Sequence, residues 1–401
     1  ALDFRYGPPG IRAIANSDVQ LTRLFKEKNQ EKYQLIGRAY RFWERFFEEN
    51  EIDFILTRET ATFATRSAYN VARHLGIPFA QLAIGGSDLH LSFDDVNENH
   101  IWQGLLELLA AGPRELSPDE KAETLDFIKL RLPRSGETMP LRFVPFSFFK
   151  TLKNYLGMHF HDRKKLRRLD PVRVAALRYG RYRLKKRMIW KYLTQPFFRY
   201  DSPKNEKFVY FPFFSGEETS YLVNDHYYAR HESSLIKEIA DSLPVGYMLY
   251  VKEHPTNPGD FTLGELRQLK KIANIRILHP SHSSQQLIEK SKAVCVLQGT
   301  TGWEAFLSKK PVITLSKPFF AYSSLVYVIT DIRDLSAIFW KALNRGPEIY
   351  QERETEWFWF IHAVLRSCGE GRIVRLKAPY NFATDEANVT KVADFLKKRI
   401  R

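Results

Sequence analysis

Two short stretches carry residue types suited to phosphate chemistry. The first is Gln298-Gly-Thr-Thr-Gly-Trp-Glu304, which follows the apolar run Ala293-Val-Cys-Val-Leu297. That run suits a buried strand. Gly299, Thr300, Thr301 and Gly302 read as a tight small-residue turn, with a helix beginning at Trp303 and stopped by Lys309-Lys310-Pro311. Free backbone N–H groups at a helix N-terminus favour an anion, and glycine lets a phosphate approach closely. The two threonines add hydroxyl donors. Glu304, placed in the first helical turn, would accept hydrogen bonds from vicinal hydroxyls such as those of a ribose. A plain structural account makes the same residues an ordinary Gly-rich turn and a helix-start acid, and the loop alone does not separate the two.

The second stretch is Tyr247-Met-Leu-Tyr-Val251, another strand pattern, ending in Lys252-Glu253-His254-Pro255. A Lys and a His at the carboxyl end of a parallel strand face the crevice where open α/β sheets bind ligands. Both could neutralise a diphosphate or a phosphate-linked leaving group. A single His is more often a structural residue; the neighbouring cation and the Gly-Thr-Thr-Gly loop downstream favour chemistry.

The elements that would position these residues alternate regularly. Strands are expected at Phe208–Phe211, Tyr247–Val251, Ile275–Leu278, Ala293–Leu297 and Val312–Leu315. Helices are expected between them at His231–Leu243, Leu263–Ala273, Ser284–Ser291 and from Trp303. Upstream, residues 17–49 read as helical with an aromatic stripe, while residues 1–14 are poorly patterned. Asp53–Thr57 and Phe79–Ala83 are strands flanking a Thr60–His74 helix that stops at Gly76 and Pro78. Glu59 and Asp88 each stand just beyond one of these strands. Either could take a proton from an acceptor hydroxyl, and either could instead serve a helix start or a turn. Only two strands are legible before residue 100, fewer than a Rossmann-like half requires. Residues 101–132 look helical, broken at Gly112-Pro113, with a capping-box pattern from Ser117 to Glu120. Gln195 to Lys207 reads as a hinge, and the chain after Thr330 turns helical.

The order Lys252-Glu-His-Pro255, Leu278-His-Pro-Ser281 with Ser284, Gln298-Gly-Thr-Thr-Gly-Trp-Glu304 and Lys310-Pro-Val-Ile313 resembles the nucleotide-binding half of GT-B glycosyltransferases. It is most similar to the capsule and surface polysaccharide biosynthesis group, which includes Kdo transferases. The resemblance is good over 208–330 and weaker over 53–91. It implies an α/β fold of two Rossmann-like lobes with a cleft between them and extra helices. Residues 1–200 would form an acceptor-side lobe with a basic helical insertion at about 150–192, residues 201–335 the nucleotide-sugar lobe, and residues 336–401 helices packing on or crossing between lobes. It also implies a donor site of Ser215, Gly216, Lys252, His254, Ser284, Gln298, Gly299, Thr300, Thr301, Gly302 and Glu304. Glu59, Asp88 and His254 would be the catalytic candidates. The activity implied is transfer of a sugar from a nucleotide-sugar, with a CMP-Kdo-type donor first in line, to a polysaccharide or glycolipid acceptor. Enzymes of this type neutralise the leaving phosphate with side chains and a helix dipole, so neither metal nor other cofactor is expected. The chain has no Asp-x-Asp signature. Nucleotide-sugar 2-epimerases and polyol-phosphate transferases share the architecture, and a non-catalytic scaffold for envelope glycan assembly is the alternative outside enzymology.

The 401 residues suffice for two domains and a large core, and 44% hydrophobic with 27% charged residues marks a globular chain. Two cysteines, Cys295 and Cys368, preclude a disulfide framework or a zinc-ligand spacing and suit a reducing compartment. Without a secretory leader or a spanning apolar run, the expected location is the cytoplasm, or the inner membrane face as a peripheral protein. The formal net charge of +15 is concentrated between Arg163 and Lys191, where about a dozen Lys and Arg accompany a single acid, Asp170. A solvated helical face and an anionic membrane surface compete to explain this segment. Nucleic acid is disfavoured because no recognised binding motif accompanies the charge.

Overall fold

The computed structural model describes residues 2–7, 10–18, 21, 25, 29–57, 60, 62–84, 90–95, 103–132, 182, 184–213, 232–254, 259–371 and 385–400. The chain is a mixed α/β protein. Its strands are β1 (Ile55–Thr57), β2 (Phe79–Ile84), β3 (His90–Asp95), β4 (Phe208–Pro212), β5 (Met248–Lys252), β6 (Ile275–Leu278), β7 (Ala293–Val296), β8 (Val312–Thr314), β9 (Tyr327–Val328) and β10 (Gly369–Glu370). The principal helices are α1 (Leu2–Tyr6), α2 (Ile11–Ser17), α3 (Asn29–Glu49), α4 (Phe63–Leu75), α5 (Gln103–Ala110), α6 (Pro118–Arg131), α7 (Glu232–Asp241), α8 (Leu263–Lys270), α9 (Ser284–Lys290), α10 (Thr300–Leu307), α11 (Leu335–Arg345), α12 (Glu354–Ser367) and α13 (Glu386–Ile400). One sheet has the order β1-β2-β3-β10 and the other β6-β5-β4-β7-β8-β9. The chain divides into two compact units, Ala1–Phe42, Ala61–Ser67 and Glu137–Leu287 against Trp43–Thr60, Ala68–Gly136 and Ile288–Arg401.

In the first unit β4 and β5 run parallel with Phe208 opposite Met248, and β5 and β6 with Leu249 opposite Ile275. The apolar runs are buried along nearly their whole length, as parallel strands covered on both faces must be. Leu235, Ile236 and Ile239 of α7 and Leu266 and Leu269 of α8 bury one stripe of each helix. A reciprocal capping box of Thr262 and Glu265 starts α8. The residues taken as unpatterned before Ile14 form two short helices, α1 and α2. Asp3 explains part of this, since its carboxylate accepts the Ile11 N–H at 2.7 Å and supplies a long-range cap that helical periodicity does not register.

In the second unit β1 and β2 pair in parallel, Ile55 opposite Phe79, joined through α4. Three strands of this unit escaped the sequence pattern, β3, β9 and β10. β3 pairs antiparallel with β2, Ile84 opposite Leu91, and β10 pairs antiparallel with β3, Gly369 opposite Leu91. These supply the strands the N-terminal segment lacked, and one of them comes from near the end of the chain. A methyl at Gly369 would stand 2.1 Å from the Phe395 ring of α13, so that helix closes directly onto the returning strand. Helix α12 packs on α5 and α6. Its His362 is buried, with Nδ1 3.2 Å from the Thr124 hydroxyl and Nε2 3.5 Å from Glu120. The expected Ser117–Glu120 capping box opens α6. Strands β7, β8 and β9 are parallel, Val294 opposite Val312 and Ile313 opposite Tyr327.

Candidate functional site

At the carboxyl ends of β5 and β6 the first unit carries four cationic or titratable groups, Lys252, His254, His279 and His282. The parallel register sets Lys252 opposite Leu278, one residue before His279. Lys252 is only 3% exposed, while His254 is exposed. His279 holds its proton less readily than an ordinary histidine because it is desolvated and because His282 and Lys252 stand near; His282 is shifted the same way by burial and by Lys252. Nδ1 of His279 accepts the Ser281 N–H at 3.2 Å and lies 2.6 Å from the Ser281 hydroxyl, which orients the ring. The Ser284 hydroxyl at the start of α9 lies 3.3 Å from the Tyr210 phenol of β4. The buried Lys252 ammonium supplies positive charge and the two imidazoles, kept neutral by burial and by that charge, supply hydrogen-bonding groups, a combination that suits an anion.

Glu253, between Lys252 and His254, turns inward and is fully buried. One oxygen accepts the N–H groups of Gly259 and Phe261 at 3.1 and 3.4 Å, and the other accepts the Tyr200 hydroxyl at 3.3 Å. Tyr200 in turn accepts the Trp190 indole N–H at 3.0 Å. Burial raises the affinity of Glu253 for a proton, against the pull of these donors and of Lys186. The residue thus ties the end of β5 to the segment around Trp190. Asp260 continues the link through an ion pair with Lys186.

In the second unit the turn after β7 is tighter than the sequence suggests. Gly299 alone makes it, at φ 99° and ψ 171°, and α10 begins at Thr300. Thr300, Thr301 and Gly302 are therefore helical, and Glu304 lies in the second turn of α10 instead of the first. Gln298 is half-buried, and Gly299 and Thr300 are exposed. The Leu297 carbonyl just before the turn accepts the hydroxyls of Thr314, at 3.1 Å, and Ser316. Gly302 has a different reason to be glycine. A methyl there would lie 2.6 Å from Phe320 Cζ and 2.8 Å from Val296 Cγ2, so its bare backbone permits helix-to-strand packing. Trp303 is buried against Phe306 and Phe319.

Glu304 is paired with Arg131 at 3.2 Å, both side chains being largely buried. The helix ends in a Schellman arrangement, with Lys310 N–H on the Ala305 carbonyl and Lys309 N–H on Phe306. Lys309 takes the left-handed position, φ 53°, usually reserved for glycine. Its ammonium lies 4.4 Å over the Trp357 ring and 2.8 Å from Glu354. Lys310 reaches the Glu289 and Ser291 carbonyls at 2.6 and 3.3 Å, so its charge serves the C-terminus of α9 and not that of its own helix.

Glu59, Asp88, Ser215 and Gly216 lie outside the described residues, as does the basic segment up to Arg181. Of the remaining candidates, Lys252, His254 and Ser284 belong to the first unit, and Gln298 to Glu304 to the second. His279, His282, Glu253 and Arg131 were missed as site residues. Leu278-His-Pro-Ser281 repeats the signal of a His beyond a strand and could have flagged His279. Nothing local to Arg131 points to Glu304.

Residues 178–357 match the family of capsule polysaccharide biosynthesis proteins. The match spans both motif-bearing stretches and bears out the resemblance read from Lys252-Glu-His-Pro255 and Gln298-Gly-Thr-Thr-Gly-Trp-Glu304. Among solved structures, the chain is similar to the KpsC β-Kdo 2,7-transferase of Thermosulfurimonas dismutans, at 14% identity and a TM-score of 0.44 over 88% of each chain. It is also similar to the KpsC β-Kdo 2,4-transferase of that organism, at 15% identity and a TM-score of 0.41 over 77% of this chain and 78% of the other. A UDP-GlcNAc 2-epimerase of Methanocaldococcus jannaschii follows at 12% identity and a TM-score of 0.33, over 79% and 75%. No curated protein matches the chain.

Proposed function

We propose that this protein is a metal-independent glycosyltransferase of capsule or surface polysaccharide synthesis, taking a CMP-Kdo-type nucleotide-sugar and a glycan or glycolipid acceptor. The observation that carries the reading is the convergence of Lys252, His279 and His282 at the carboxyl ends of β5 and β6, beside exposed His254. A glycosidic bond to phosphate breaks faster when the departing phosphate is neutralised by fixed donors and cations. Lys252 and His254 act on that phosphate, His279 and His282 add donors there, and Ser284 contributes a hydroxyl. Thr300, Thr301 and Gly302 offer N–H groups and hydroxyls to phosphate, and Glu304, held by Arg131, accepts the ribose hydroxyls. The base that deprotonates the acceptor is assigned to Glu59 or Asp88.

The test is the melting temperature of the full chain with CMP, CDP, UDP, UMP and GDP in turn. A ligand that binds only the folded state raises it by mass action. Selective stabilisation by CMP is the expected result. Stabilisation by UDP or GDP alone would overturn the CMP assignment, and none by any nucleotide would overturn the donor site itself.

A further inference from the structure

Residues 171–200 contain nine Lys and Arg and no Asp or Glu. The described part of this stretch is helical and passes into a π turn, Trp190–Thr194, where the Gln195 N–H reaches the Trp190 carbonyl at 2.7 Å. Its inward face is pinned at intervals of four: Trp190, Thr194 and Phe198 are all buried. Trp190 donates to Tyr200, Phe198 meets the Tyr200 ring edge-on at 4.9 Å, and the Lys270 ammonium lies 5.2 Å over Phe198. A methyl at Gly259 would touch the Trp190 Cβ at 2.9 Å, so this face is seated closely.

The outward residues are unusual. Ile189, Tyr192, Leu193 and Phe197 are 43%, 39%, 56% and 64% exposed. A single exposed apolar side chain needs no explanation, but four within nine residues, flanking the buried stripe, do. Exposed Lys185, Arg187 and Arg199 accompany them.

We infer that this face is an interfacial docking element for an anionic lipid bilayer: Ile189, Tyr192, Leu193 and Phe197 enter the headgroup–acyl boundary while Lys185, Arg187 and Arg199 meet lipid phosphates. An interfacial helix is recognised by an apolar face bordered by cations, with no requirement for length. Each cation near an anionic surface strengthens attachment. The occupant follows from charge and chemistry. A second copy docking face to face would set the same cations against each other. A nucleic acid would leave Ile189 and Leu193, which have neither hydrogen-bonding groups nor a stacking face, without a partner. A bilayer surface satisfies both halves of the face at once. The inference rests on residues apart from those assigned to the donor, so it stands or falls independently of the CMP reading.

The experiment is co-sedimentation of the full chain with phosphatidylcholine vesicles, with and without phosphatidylglycerol. Binding to the anionic vesicles alone, weakening as salt is raised, is expected. L193E/F197E changes two exposed side chains, so it should keep the wild-type melting temperature and CMP response while losing about tenfold or more in partitioning. K185A/R187A should lose about fivefold for each cation removed. Equal binding to neutral vesicles would overturn the inference, as would unaltered binding by L193E/F197E. So would a finding that these substitutions dissolve a dimer in sedimentation velocity, or abolish binding of single-stranded nucleic acid, while vesicle binding is untouched.

Discussion

Replacing Gly302 with Ala separates two reasons for a glycine in the turn after β7. If Gly302 lets a phosphate approach, the substitution should weaken donor binding and leave the fold alone. The geometry assigns it to packing. The added methyl would sit 2.6 Å from Phe320 Cζ and 2.8 Å from Val296 Cγ2, where ordinary contact begins near 3.4 Å. Phe320 is 1% exposed and edge-packed on Phe319, and Val296 is a fully buried, β-branched strand residue, so neither yields cheaply. Overpacking of this kind costs about 1–3 kcal/mol. The helix-propensity gain of Ala over Gly, about 1 kcal/mol in a helix interior, is smaller at the third residue of α10. A net loss of about 2 kcal/mol is expected, read as a lower urea midpoint at unchanged slope. Binding of CMP to the folded variant should fall less than that of Glu304→Ala. A variant of wild-type stability with donor binding abolished would refute the packing assignment.

Glu253→Gln should alter the pH dependence of stability. The folded-state proton affinity of Glu253 is raised by burial above the ordinary carboxyl value of 4.5, so the folded state holds the proton after the unfolded chain has released it. Stability therefore declines as pH rises from the ordinary value through the raised one, and the Gln variant should lack that decline; an identical slope in urea titrations across pH would contradict the burial effect. Arg131→Met should cost about 3 kcal/mol by removing the cation paired with the largely buried Glu304, whereas a wild-type urea midpoint would show that the pair contributes nothing. Glu304→Ala should weaken donor binding in calorimetry, and unchanged affinity would remove its ribose role. His254→Ala should lower turnover more than it changes KM, a wild-type rate ruling out its place at the leaving phosphate. Chelation with EDTA should leave turnover unchanged, and loss restored by a divalent cation would overturn metal independence.

The regular half of the fold was legible because its signal is local. Apolar, β-branched runs such as Phe208–Phe211 and Ala293–Leu297, punctuated by caps and Pro311, specify strand and helix with little help from distant residues. The Ser117–Glu120 capping box was readable for the same reason. β3 and β10 were not, since β10 is two residues long and owes its existence to pairing with β3. The start of α10 was misplaced by three residues because Gly299 alone turns the chain, and the remaining small residues look like turn while serving as helix. The cationic end of β5 was visible in Lys252 and His254. Its enlargement by His279 and His282 depends on parallel register, and the Arg131–Glu304 pair joins helices far apart in sequence. Residue type announces such groups, but only tertiary packing chooses their partners.

The pairing of Gly369 with Leu91 bears on how the chain is made. A ribosome releases the β3 segment roughly 280 residues before β10, and at about 5–20 residues per second that interval lasts on the order of 15 to 55 seconds. Throughout it, one edge of β3 has its backbone donors and acceptors without their eventual strand, a recognised route to misassembly. Helices α5 and α6 wait similarly for α12. A transient unpaired edge in the nascent N-terminal segment is therefore a consequence of topology. Expression stopped before residue 354 should yield an insoluble product, while the full chain remains soluble.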